Sequence, residues 1–457
     1  MYRFANLVLT TLVICLLVSP VVLAKGNVGS GTAYQGLTLT LDKAIEMALA
    51  SNTLIKEAIE KQNAAIEEEN SAKSDFFPKA SASYSYTNLK EKPYVIFGGS
   101  EILMGNKDNY HWDVSLVQPI FTGFALSTRH KMAKLGVDLK EMEKKRAILD
   151  VTRQVKVAYF NILLAKKFFR VADEAVGNLE SHVRDAQHFY EQGMIPYNDL
   201  LRSKVALANT IQNRVRAESN IEMAVSFLNT LLRIDINKKT EVEDILSIVP
   251  SSYDLESLFA EAVQNRPELG VLRLAVKNAD NAVRLAKSSY YPEIALVGNY
   301  EQMGDNPEAD NNDYGNRYNA SATVQARWKF FEWGKTSADV KKYLYEKRAL
   351  AEKLKGTEDS IGLEVKNAFL NLQVSKRNIK TADESLAQAK ENWRITNLQY
   401  QQQMTTSTEV LDARMFLSQA ETNYYSALYG YMSSEAELER AVGKDIAPSS
   451  AKKQEKE

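Results

Sequence analysis

The sequence repeats itself, and a chain made of two copies of one unit has few folds open to it. Leu41-Asp42-Lys43-Ala44-Ile45 aligns with Leu255-Glu256-Ser257-Leu258-Phe259. In the same register, Ala72-Lys73-Ser74-Asp75-Phe76-Phe77-Pro78 meets Ala286-Lys287-Ser288-Ser289-Tyr290-Tyr291-Pro292. After one loop the register changes slightly and then holds. Phe121-Thr122-Gly123-Phe124 meets Phe331-Glu332-Trp333-Gly334, Val155-Lys156 meets Val365-Lys366, Tyr190 meets Tyr400, and Leu201 meets Leu411. This divides the chain into a first repeat over 37–233, a linker over 234–253, a second repeat over 254–443 and a disordered, charged tail over 444–457.

Each copy reads as helix, strand, loop, strand, long helix, turn, helix. Leu41 to Asp75 is rich in Ala, Glu, Lys and Gln, all good helix formers, and Pro78 marks the switch out of helix. The strands alternate with period two. Ala80, Ala82, Tyr84 and Tyr86 share one face, and Ser81, Ser83, Ser85 and Thr87 the other. Tyr110, Trp112, Val114 and Leu116 oppose His111, Asp113 and Ser115, and Ile294, Leu296 and Tyr300 form a third apolar row. A fourth runs from Tyr318 to Trp328, opposed by Asn319, Ser321, Thr323, Gln325 and Arg327. Two polar loops, about Leu89–Asn109 and Met303–Arg317, join the strands within each pair.

The long helices are expected from about Phe124 to Glu191 and from about Gly334 to Gln401, each spanning roughly 100 Å. Their apolar seams step by three and four without a break. One runs Val155, Ala158, Ile162, Ala165, Phe169, Ala172, Val176, Leu179, Val183, Ala186, Tyr190. The other runs Val365, Ala368, Leu372, Ser375, Ile379, Ala382, Leu386, Ala389, Trp393, Thr396, Tyr400.

Four strands of about ten residues have the length of membrane β-strands, yet membrane barrels begin at about eight strands. An open sheet in lipid leaves unpaired edge amides, so several chains must share one barrel. Two chains supply eight strands and three supply twelve. A row of Ser, Thr, Asn and Gln suits a water-filled lumen, which the wider barrel allows. A sheet outside the membrane is the alternative reading of the same alternation.

The first residues support export. Arg3, the apolar run Leu7 to Val18, Pro20 and Val22-Leu23-Ala24 read as a secretory signal peptide over 1–24, with an uncleaved anchor as the alternative. Cys15 is the only cysteine and lies inside that run, so the mature chain carries no disulfide. The formal net charge of −1 gives no basic face for nucleic acid. His182 and His188 are six apart, a poor same-face metal pair, and His111 and His130 stand alone. No metal, cofactor or catalytic constellation is visible, so the chain reads as no enzyme. Lys144-Lys145-Arg146 reads as a solvated helix face.

Taken in order and mostly in duplicate, these motifs resemble the TolC-like family of outer-membrane efflux proteins. The resemblance covers about Leu39 to Val442. Asn265-Arg266-Pro267-Glu268-Leu269, Gln118-Pro119-Ile120-Phe121-Thr122-Gly123, Trp328 to Gly334 and Glu409-Val410-Leu411-Asp412-Ala413 also carry it. It implies an α+β membrane protein, a homotrimer. Its twelve-stranded barrel would hold four strands per chain in outer-membrane lipid and continue into a long coiled-coil tunnel in the periplasm of a Gram-negative bacterium. The linker and the tail would form a collar at its waist. It further implies a passive duct that docks a periplasmic adaptor and, through it, an inner-membrane transporter. A soluble periplasmic coiled-coil protein is the competing reading.

The resemblance also suggests residues. The tips Gly193-Met194-Ile195-Pro196 and Gln403-Met404-Thr405-Thr406 would form the entrance and meet the adaptor. Glu409 and Asp412 match acidic positions that ring the constriction; three apart, they share one helical face. Asp199 and Tyr400 match contacts that hold the entrance closed. Thr405 departs from the family pattern, standing where the best-known members carry a gating Arg. Gln403 departs too, standing where the first copy has Gly193, an awkward choice if positive φ is required.

Overall fold

The computed structural model describes residues 38–245 and 252–444. The leader at 1–24, residue 37, residues 246–251 of the linker and the tail beyond 444 lie outside the described residues.

The first copy holds α1 (Leu41–Ser51), α2 (Thr53–Ser74), β1 (Lys79–Asn88), β2 (Tyr94–Phe97), β3 (Ser100–Leu103), β4 (Asp108–Thr122), α3 (Ala125–Glu191) and α4 (Tyr197–Leu232). The second holds α5 (Leu255–Asn265), α6 (Pro267–Ser288), β5 (Glu293–Gly304), β6 (Tyr318–Arg327), α7 (Lys335–Gln401) and α8 (Ser407–Val442). Both long helices have 67 residues and both return helices have 36.

The long helices begin and end within one residue of the expected bounds. Along α7 every expected seam residue is buried or half-buried. Along α3 all are except Tyr190, which is exposed and packs against Tyr197 with the rings tilted and their centroids 5.1 Å apart.

Three expectations need correction. The helix expected over Leu41–Asp75 is two helices. Asn52 breaks it with extended backbone, its carbonyl Oδ1 accepting from the Leu54 amide at 2.9 Å and its Nδ2 donating to the Leu231 carbonyl at 3.1 Å. The second copy breaks at the matching place, where Pro267 opens α6. The loop expected over Leu89–Asn109 contains the β2–β3 hairpin, turned at Gly98-Gly99. Apolar Tyr94-Val95-Ile96-Phe97 and Ile102-Leu103 have the β propensity that the surrounding polar residues masked. Trp328 lies past the end of β6, its indole donating to the Tyr290 carbonyl at 3.1 Å.

The four long strands form one antiparallel sheet in the order β1-β4-β5-β6, so the two copies meet at the β4–β5 pair. The register keeps the rows intact across the seam. Ala82, Val114, Tyr300 and Ala320 stand side by side on one face; Ser83, Asp113, Glu301 and Asn319 stand beside one another on the opposite face. The polar face is knit by Ser81 to Ser115 at 2.7 Å and by the Asn319 amide donating to Glu301 at 3.0 Å. β1 and β6 each pair on one side only.

β4 shifts register between Pro119 and Phe121, where the proline has no amide to donate. Just beyond, Gly123 adopts φ +60, and a Cβ there would stand 2.4 Å from the Ser288 carbonyl oxygen. Glycine therefore lets the strand turn directly into α3 against the end of α6.

Two apolar cores sit at corresponding levels of the two copies. One joins Val151, Val155, Tyr159 and Ile162 of α3 to Ala44 and Ala48 of α1 and Leu228 of α4. The other joins Val365, Ala368 and Leu372 of α7 to Leu258 and Ala262 of α5 and Leu438 of α8. The segment after α4 docks on the first core. Val242 bridges Leu39, and the Tyr159 hydroxyl lies 2.8 Å from the carbonyls of Leu39 and Glu243.

Candidate functional site

The two helical hairpins, α3–α4 and α7–α8, end at turns of the same construction. The Gly193 amide donates to the Tyr190 carbonyl at 2.8 Å and the Met194 amide to that of Phe189 at 2.8 Å. In the other hairpin Gln403 donates to Tyr400 at 2.9 Å and Met404 to Gln399 at 2.8 Å. This paired pattern closes a helix around a left-handed residue. Gly193 has φ +75 and Gln403 has φ +62, so the second turn places an L side chain where the first has none.

The structure brings the two tips together. The Gln403 amide donates to the Met194 sulfur at 2.9 Å, while Met194 and Met404 present their side chains outward, 51% and 75% exposed. These four residues, Gly193, Met194, Gln403 and Met404, lie at the far end of the helices from the sheet.

Asp199 and Glu409 occupy the same place in the two copies, the third residue of the return helix. Glu409 is exposed, and its backbone amide is capped by Thr406 at 3.5 Å. Carboxylates in a first turn meet the positive end of the helix dipole. Asp412 is exposed one turn further along α8.

Tyr400 is buried, 2% exposed. Its ring packs on His182 with centroids 4.6 Å apart and on Phe189 at 5.5 Å. Burial pushes its hydroxyl up to about 12, against a smaller opposite effect from Ser407. The Tyr400 hydroxyl makes no hydrogen bond to Asp199. Asp199 joins this region through its backbone carbonyl, which accepts from the Ser203 hydroxyl at 3.0 Å.

Sequence reasoning missed what sits beneath Tyr400. His182 of α3, Ser203 of α4 and Ser407 of α8 form a buried polar cluster. Nε2 of His182 lies 2.8 Å from Ser407 Oγ and 3.2 Å from Ser203 Oγ, and the two hydroxyls are 2.9 Å apart. By spacing alone His182 reads only as half of a poor same-face metal pair with His188. Its repeat mate is Asn392, that of Ser203 is Ala413, and that of Ser407 is Tyr197. That break in an otherwise regular repeat was the available signal.

Deeper in the same bundle, Arg414 and Glu421 of α8 are buried together at 3.4 Å, with the Arg414 guanidinium over the Trp393 ring. Among the described residues there is no cluster of His, Cys, Asp and Glu that could hold a metal, and no helix is long and apolar enough to cross a membrane.

Known proteins share this architecture. The sequence pattern of the outer membrane efflux protein family matches residues 44–232 and 258–444, one match in each copy. The chain is 21% identical over 436 residues to the outer membrane protein TolC of Escherichia coli, covering 91% of this chain and 84% of that protein. It is 22% identical over 324 residues to TolC of Vibrio cholerae, covering 70% and 72%. Its fold superposes on the crystal structure of the Campylobacter jejuni CmeC outer membrane channel with a TM-score of 0.76 at 18% identity, covering 91% of this chain and 88% of that one. Members of the family are trimeric channels of the Gram-negative outer membrane, each a barrel continued by a periplasmic helical tunnel, that work with adaptors and inner-membrane pumps. This decides against the coiled-coil reading: the chain belongs to the outer membrane efflux protein family, a family of channels and not of enzymes, and is an outer-membrane efflux channel.

Proposed function

We propose that this chain forms a passive duct whose periplasmic entrance is built by the α3–α4 and α7–α8 tips. Gly193, Met194, Gln403 and Met404 form the surface that docks the adaptor, and the inner-membrane transporter supplies the energy through that adaptor. Glu409 and Asp412 line the constriction. Three chains would bring six carboxylates around the axis, a ring that attracts cations and repels anions. Asp199 and Tyr400 belong to the contacts that hold the entrance, with Thr405 leaving the usual charged contact unmade. The apolar row of the sheet faces outer-membrane lipid. Residues 1–24 are a cleaved leader, and the described linker residues 234–245 form part of a collar at the waist.

One observation carries this reading: β1 and β6 are unpaired at the edges of a sheet with one apolar and one polar face, while the tips lie together at the opposite end. Edges of that kind are stable in lipid only when neighbouring chains pair with them. The test is conductance of the purified mature protein in a planar bilayer, with selectivity read from the reversal potential. Discrete cation-selective steps from a trimer are expected. Anion-selective steps would remove Glu409 and Asp412 from the conduction path.

A further inference from the structure

The His182 cluster joins three of the four helices at the entrance, and the fourth, α7, lies against it through Tyr400. His182 is 2% exposed, Ser203 fully buried, and Ser407 4% exposed. One arrangement satisfies every hydrogen in the cluster. Nε2–H of His182 donates to Ser407, Ser407 donates to Ser203, and Ser203 donates to the Asp199 carbonyl. Nδ1 then carries only a lone pair, and it is buried with no partner. The chain of bonds runs from α3 through α8 to α4, so it fastens one hairpin to the other, about two turns from the first tip and at the start of α8 beside the second.

We infer that the Ser203–His182–Ser407 cluster is a pin that holds the second hairpin against the first at the entrance, and that it holds only while the imidazole is neutral. The inference rests on reading the tips as the entrance. A second proton would create an Nδ1–H with no acceptor and a charge with no water, and such groups are costly to bury. The surrounding charges do not offset this. On α3, Asp185 alone favours the charged form, and it is outweighed: burial pushes the imidazole down to about 4. From α4, Asp199 offers its carbonyl to Ser203, and Arg202 reaches Thr408 at 3.4 Å. From α7 comes neutral Tyr400, and α8 adds Glu409, an exposed side chain in its first turn.

The pin is confined to one place in each chain. The equivalent positions, Asn392, Ala413 and Tyr197, cannot form it. In a trimer three such clusters would tie the two hairpins of each chain, and none would tie hairpins of different chains.

The sign follows from linkage. The imidazole is lowered in the pinned state, so the pinned state binds fewer protons than a released one. Pinning is therefore complete above the ordinary histidine value near 6.5 and is lost as pH falls toward about 4. His182 is a positioning residue for the entrance, and proton uptake releases it.

The test is open probability of the purified trimer in a planar bilayer between about pH 7 and pH 5, where histidine titrates and carboxylates of ordinary pKa do not. Wild type is expected to open more often at the lower pH, by a factor on the order of ten. His182→Gln should flatten that response, and an unchanged response in this variant overturns the inference. Should His182→Gln not assemble, Ser203→Cys with Ser407→Cys carries the test, because the mature chain has no other cysteine. Oxidising the two thiols to a disulfide should hold the entrance shut at both pH values, and reduction should release it. A cross-linked trimer that still opens at the lower pH overturns the pin. The entrance reading fails separately, by unchanged ion selectivity in Glu409→Gln with Asp412→Asn.

Discussion

The Arg266 guanidinium holds Glu364 through both carboxylate oxygens, at 2.9 and 2.8 Å. Its Nε donates to Glu268 at 3.0 Å and its Nη1 to the Ala441 carbonyl at 3.0 Å. Glu268 in turn accepts from Arg440 at 2.8 Å, and Arg440 donates to Asp150 of α3 at 2.7 Å. One arginine at the α5–α6 break thus ties α6, α7 and α8 together, and Arg440 extends the tie to α3. Arg266→Ala leaves Glu268 and the end of α8 short of a buried donor. The expected cost is about 2 kcal/mol, below the full value for a buried pair because Glu364 is half exposed and rehydrates. Arg266→Lys should recover less than half of it, since an ammonium cannot make the two-pronged contact. The thermal transition of the detergent-extracted trimer measures both, and a wild-type transition in Arg266→Ala would show that the network is not a support.

The two tips predict opposite effects for exchanging their residues. Gly193→Ala places a Cβ at φ +75 and should destabilise the first turn by about 1 kcal/mol. Gln403→Gly relieves the same strain in the second turn and should gain a smaller amount, offset by the lost contact to Met194. Hydrogen exchange of the tip amides reads this locally: faster in the first variant, unchanged or slower in the second.

Removing charge from the proposed constriction changes what passes through it. Glu409→Gln with Asp412→Asn should reduce cation selectivity severalfold while leaving the trimer intact, because both side chains are exposed and support no packing. Reversal potentials under a salt gradient decide the matter.

Docking is tested at the outermost side chains. Met194→Asp or Met404→Asp puts a charge on an exposed apolar tip, Met194 being 51% and Met404 75% exposed. Export through the assembled system is expected to drop at least tenfold with trimer yield and bilayer conductance unchanged. Normal export would place the adaptor elsewhere.

Periodicity is a local property, and what it governs was legible without coordinates. The period-two rows from Ala80 to Tyr86 and from Tyr318 to Ala326 placed the strands. The unbroken seams from Val155 and Val365 placed helices whose ends were right to within one residue. The repeat made two helical hairpins unavoidable, and the need to satisfy edge amides in lipid made one chain insufficient. The tertiary structure decided whatever depends on partners distant in the chain. Asn52 breaks a favourable helical run because the Leu231 carbonyl, 179 residues away, takes its side-chain amide. The apolar residues Tyr94 to Phe97 form a hairpin because β1 and β4 hold its base together, the Leu89 amide donating to Lys107 at 2.8 Å. His182, Ser203 and Ser407 come from three helices, and in sequence each is an ordinary polar residue on an amphipathic surface. Only packing removed them from water, and that removal turned three unremarkable side chains into one interaction with a required protonation state.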